Sequence, residues 1–145
     1  MTNYLILFLF VFKFDKMTTI ILAGVIIVNL ALIAYSFAII VEQRKKVVSN
    51  FVLSFLTLGV LFDITSTVCM IIGSTHSAFS SHGIFGYSAL LGMLIDCILM
   101  WKYRLSYGRT IKVEKILHLY SRFAYTWWII AYFTGIIIVS LRHIR

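Results

Sequence analysis

Apolar residues fall along this chain in four long runs, at 17–41, 51–74, 82–101 and 123–141, with polar stretches at 42–50, 75–81 and 102–122 between them. Crossing the hydrocarbon core of a bilayer takes about 20 helical residues, and each run meets that length. Lipid offers the backbone no hydrogen-bond partner, so a spanning segment of this kind is helical. The pattern predicts an all-α, integral membrane four-helix bundle.

Two further stretches qualify the pattern. In the third connection, Val113, Ile116, Leu117 and Tyr120 recur at helical spacing, with Lys112, Lys115 and His118 off that stripe. This predicts an interfacial helix running into the fourth span, and an amphipathic extension with no separate role is the simpler reading. Residues 1–16 form an apolar N-terminal extension whose apolar part, 4–12, is too short to span. It lacks the basic start and small-residue cleavage site of a secretory signal. It either lies on the membrane surface or is an over-long start. Met17 opens directly into the first span, which favours the second reading.

Charge sets the orientation. Arg44, Lys45 and Lys46 lie in the first connection, and Lys102, Arg104, Arg109, Lys112, Lys115 and Arg122 in the third; the second holds no Lys or Arg. Basic loops stay in the cytoplasm, so the sequence predicts two cytoplasmic connections and both termini outside. Trp101, Trp127 and Trp128 then fall near the inner interface, as an aromatic belt would.

Composition agrees with the class. The chain is 61% hydrophobic and 12% charged, with a mean hydropathy of +1.00, against about 25% charged in a soluble domain. The net charge of +8 would suggest nucleic acid in a soluble protein. Here it collects at the ends of apolar runs, where it serves orientation and lipid headgroups, so no nucleic-acid partner is expected. Proline is absent, so no proline kink is expected. Cys69 and Cys97 sit inside apolar runs at different depths, which speaks against a bridge and for small core residues.

Polar groups inside the lipid layer are where membrane function usually resides. On the second span Gly59, Asp63, Ser66, Thr67, Met70 and Ser74 share a helical face, with Asp63 near mid-membrane. Asn29 on the first span and Tyr132 on the fourth are its candidate partners, in a polar clamp between helices or in a functional site. On the third span His82, Gly86, Ala89, Met93, Asp96 and Met100 line one face. A structural ion pair of Asp96 with Arg122 or His118 is the favoured expectation. Tyr125, Trp128, Tyr132 and Gly135 form a stripe on the fourth span that reads as packing.

Histidine is the common ligand of metals and haem iron, and helical bundles hold haem between facing helices. His76, His82 and His143 belong to the outer layer and His118 to the inner one, so one haem cannot use both layers. An outer site would pair His82 with His76 or Met70, with Arg142 or Arg145 on the propionates. An inner site would use His118 with Arg122 or Lys115. His82 stands equally well as an interfacial histidine with no ligand role. No residue set has zinc-ligand spacing, and no Ser–His–Asp set lies at one depth, so no catalytic residues are assigned. Fourteen residues past His82, where a second stacked histidine would complete an electron wire, stands Asp96.

Leu61-Phe62-Asp63 with Thr67 and Met70, His82-Gly83 with Gly86, Ala89 and Met93, and His118 with Ser121, Trp128 and Gly135 resemble the small bacterial haem-sensing membrane protein A (HsmA) family. The likeness covers roughly 51–139. It implies a multi-pass protein of the bacterial cell membrane that captures or buffers haem and lowers haem-linked oxidative stress, without turnover. It implies haem as cofactor, His82 and His118 as leading iron ligands and Asp63 in support. Asp96 stands where some relatives would carry a histidine. Two alternatives stay open. One is a haem-free small transporter or membrane interaction protein, as a homo-oligomer around Asp63 and Asn29; the other is a haem oxidoreductase.

Overall fold

In the computed structural model, residues 19–74, 80–108 and 112–142 are described, the side chains of Val139, Ser140 and Arg142 excepted. Four helices account for nearly all of them: α1 (Thr19–Lys45), α2 (Asn50–Gly73), α3 (Ser81–Tyr107) and α4 (Lys115–Arg142). α1, α2 and α3 are long and apolar enough to cross a membrane. α4 is 28 residues long. The apolar extension at 1–16 lies outside the described residues.

Helix ends depart from the apolar runs in one direction. α1 continues to Lys45, α3 to Tyr107, and α4 already begins at Lys115. The apolar run marks what lipid must cover, and the helix continues past it wherever side chains still pack. The stripe around Val113 and Tyr120 therefore forms no separate surface helix: from Lys115 it is the first part of α4 itself.

α1 packs chiefly on α2 and α3 on α4, with lighter contact between α2 and α3 and between α1 and α4. Inward positions recur every seven residues: Gly24, Ala31 and Ala38 on α1, Val52, Gly59 and Ser66 on α2, Ala89, Asp96 and Tyr103 on α3, Ser121 and Trp128 on α4. That repeat keeps one seam facing the partner helices along their whole length. Small residues bring α1 and α2 closest. A Cβ on Gly59 would stand 2.3 Å from the Tyr35 ring, and one on Gly24 would stand 3.1 Å from Met70 Cγ.

The core is apolar with a few buried polar groups, and the exterior is apolar as well. Glu42, Asp63, Ser66, Asp96 and Ser121 are buried, while Phe37, Leu61, Ile98 and Phe133 are each more than half exposed. So continuous an apolar exterior on all four helices suits lipid, not water. On that exterior the Thr65 hydroxyl bonds its own helix at Leu61 O, 2.7 Å away, so it does not face lipid unpaired.

The two basic connections meet at one end of the bundle. Val47 and Lys112 form an antiparallel bridge, and Val113 N donates to Lys46 O at 2.8 Å. Arg104 donates to Val48 O and to Asn50 Oδ1, and Tyr103 Oη donates to Lys112 O at 2.7 Å. Lys46 takes a left-handed backbone, φ 52°, to turn its carbonyl towards Val113.

Candidate functional site

A column of polar groups runs down the middle of the bundle. At its centre Asp63 Oδ2 accepts from Trp128 Nε1 at 2.7 Å and from Tyr35 Oη at 3.3 Å. The Tyr35 and Trp128 rings meet edge to face at 5.1 Å. Both donors are neutral, so the carboxyl is held by hydrogen bonds without a cation.

Asn29 and Tyr132 are not the partners of Asp63. They bond each other, Tyr132 Oη to Asn29 Oδ1 at 2.8 Å, while Asn29 Nδ2 donates to Val25 O at 2.7 Å. Tyr132 is joined to the central group only by stacking on Trp128, centroids 5.6 Å apart. The reason is register: Tyr35 and Trp128, not Asn29 and Tyr132, fall level with Asp63. Trp128 is also no member of an interfacial belt. Its indole is buried at 3% exposure.

Nearer the basic end, Asp96 Oδ2 accepts from Ser121 Oγ at 2.9 Å, and its Oδ1 has no partner among the described residues. The expected ion pair with Arg122 or His118 does not form. Ser121 takes the inward position on α4, and Arg122, the next residue, is turned about 100° away on the helix and stands exposed. Cys97 Sγ lies 3.7 Å from Thr57 Oγ1, and neither Cys97 nor Cys69 is bridged.

His118 has a different partner. Its Nδ1 lies 2.9 Å from Glu42 Oε1, the one ion pair among the described residues. Glu42 is completely buried, and Gln43 Nε2 donates to its Oε2 at 2.6 Å and to His118 O at 3.0 Å. Sequence reasoning missed Glu42 and Tyr35. The signal was present: they lie seven residues apart, on the seam of Ala31 and Ala38, although Glu42 opens what reads as a charged turn.

His82 sits in the first turn of α3, after the Ser80 N-cap, with Nδ1 3.2 Å from Thr134 Oγ1. A Cβ on Gly135 would stand 3.0 Å from both Cε1 and Nε2 of the ring. The imidazole therefore lies against the α4 backbone with its Nε2 edge inward. Thr134 is sixteen residues along α4 from His118, about 24 Å at helical rise. The two histidines belong to opposite ends. Met70 packs over Gly24 of α1, so it and His82 are committed to different neighbours. His76, His143 and the Arg142 side chain lie outside the described residues.

Among the described residues no group of three His, Cys, Asp or Glu could hold a metal ion. Two adjoining surface grooves open on the outer face of α4 and the α3–α4 seam. They hold about 440 and 310 Å³ and share Tyr120 and Phe123. Arg122 lines the larger, and His118 lines neither. Comparison with family models, curated proteins and solved structures finds no match to the chain.

Proposed function

We propose that this protein is a four-span bundle of the bacterial cell membrane, both termini outside, that binds haem through His118 and captures or buffers it without turnover. The observation that carries the reading is the Glu42–His118 pair. A ligand histidine is normally oriented by a hydrogen bond from one ring nitrogen to a carboxylate, which leaves the other nitrogen for the metal and makes it more basic. Glu42 meets Nδ1, and Nε2 has no partner among the described residues. His82 differs, because its Nε2 edge abuts Gly135. The Glu42–His118 contact thus supports a haem with one histidine ligand at the basic end rather than one shared by both histidines. Arg122 drops out as a propionate partner of His118, since it faces the outer groove. The HsmA-like residues supply the identity of the ligand, and several of them touch in space: Asp63 with Trp128, His82 with Gly135.

Haem titrated into the detergent-purified full chain should produce a Soret band. That band should disappear in His118→Ala and persist in His82→Ala. A wild-type protein that takes up no haem removes the whole reading; loss in His82→Ala alone removes the ligand assignment.

A second reading has its own observation. Asp63 and Asp96 are buried carboxyls with only neutral donors, the kind of group that carries protons in membrane transporters. Proton-linked uptake abolished by Asp63→Asn, in a protein without haem, would favour it.

A further inference from the structure

The groove of about 440 Å³ on the outward face of α4 is lined by Ile116, Leu119, Tyr120, Arg122, Phe123 and Thr126. Ile116 is 80% and Phe123 69% exposed, so its walls are apolar side chains turned to the surroundings. In a bilayer such a trough fills with acyl chain. Arg122 does not belong to a plain lipid face. A guanidinium near the hydrocarbon edge is costly unless an anion or water meets it, and that of Arg122 makes no hydrogen bond or ion pair with any described residue. Lys115 lies seven residues earlier on the same face of α4 and is exposed. Lys115 therefore stands nearer the rim of the bundle, and Arg122 lines the groove itself.

The smaller groove continues the larger one. It shares Tyr120 and Phe123 and runs over the α3–α4 seam at Ser88, Gly92, Ala124 and Trp127. Its floor is low because Gly92 has no side chain and the nearest atom a Cβ there would meet is Ala124 Cβ, 4.0 Å away. Tyr120 Oη is turned to Gly92 O at 3.2 Å, so its polar tip is used and its ring is left as wall. A cationic head position followed by a continuous apolar trough matches an anionic phospholipid.

We infer that the α4 groove, extended over the α3–α4 seam, is a binding site for one anionic phospholipid, its phosphate on Arg122 with Lys115 and an acyl chain over Phe123 and Gly92. Charge complementarity selects the anionic lipid over a zwitterionic one. The site does not depend on haem, because His118 lines neither groove.

The test is native mass spectrometry of the full chain in detergent with added phosphatidylglycerol or phosphatidylcholine of identical chains. One phosphatidylglycerol should be retained in clear preference. Arg122→Gln should weaken it roughly fivefold, the usual effect of one basic residue on an anionic lipid, with little change for phosphatidylcholine. Gly92→Leu, which fills the trough, should weaken both lipids. Equal retention of the two lipids by the wild type overturns the proposal. So does an Arg122→Gln protein that keeps its preference, or competition by inorganic phosphate as strong as by the lipid. Circular dichroism of each variant establishes that it is folded, and Lys115→Gln, at the exposed rim, supplies a milder variant should Arg122→Gln fail that check.

Discussion

Trp128 Nε1 donates to Asp63 Oδ2 across 2.7 Å, the one hydrogen bond among the described residues that ties α2 to α4, two helices that otherwise stand diagonally in the bundle. Neighbouring helices are held by close backbone approach and many side chains. Among the described residues the diagonal is bridged by one long indole that reaches one carboxyl. Trp128→Phe removes the donor and leaves Asp63 Oδ2 with only the 3.3 Å bond from Tyr35. The cost should be about 1–2 kcal/mol, the range for breaking a polar interaction inside a membrane bundle. Thermal unfolding in detergent measures it. An unchanged midpoint would show that Asp63 does not depend on the indole.

The seam between α1 and α2 makes a sharper case. A methyl group on Gly59 would stand 2.3 Å from Tyr35, so the ring must move, and its bond to Asp63 moves with it. Gly59→Ala should therefore cost about 1–3 kcal/mol, as overpacking in a tight core does. Gly86 has nothing within 4 Å of a Cβ, and Gly86→Ala should be neutral or slightly stabilising through its better helix propensity. Equal effects of the two substitutions in the same unfolding assay would contradict the close approach at Gly59.

Why some of this arrangement was readable in the sequence and some was not follows from where the information lies. The helices were readable because lipid demands long apolar runs, whatever their neighbours. The seven-residue inward repeat was partly readable: Asp63, Asp96 and Trp128 stood out as polar or aromatic residues on inward faces. Pairing was not readable. It depends on the axial register of helices joined by connections of only a few residues, and a shift of six residues, about 9 Å, decides whether Asn29 or Tyr35 meets Asp63. Glu42 escaped for another reason. A charged residue beside Arg44, Lys45 and Lys46 looks solvated until α1 is seen to continue to Lys45 and turn position 42 inward.

Orientation can be tested directly at the joined connections. Lys46 and Lys112 lie at one end of the bundle, and Ser80 caps α3 at the other. In a background carrying Cys69→Ser and Cys97→Ser, Lys46→Cys and Lys112→Cys should react with an impermeant thiol reagent only after the cytoplasmic side is opened. Ser80→Cys should react in intact cells. If positions 46 and 80 label from the same side, α2 does not cross the membrane and the four-span topology fails.

Asp96 separates architecture from chemistry. It is completely buried, it accepts one hydrogen bond from Ser121, and its second oxygen meets no donor among the described residues. A half-satisfied buried carboxyl is a poor way to stabilise a bundle, because replacing both members of a buried polar pair by apolar groups of similar shape is often neutral or stabilising. The double variant Asp96→Leu with Ser121→Ala should accordingly unfold at or above the wild-type temperature, and on the proposed haem reading uptake at His118 should match the wild type, because Glu42 still holds Nδ1. A drop of more than about 2 kcal/mol would make Asp96 a structural clamp whose second oxygen is satisfied by water. A stable variant that has lost proton-linked uptake, in a protein that takes up no haem, would instead assign the carboxyl to transport.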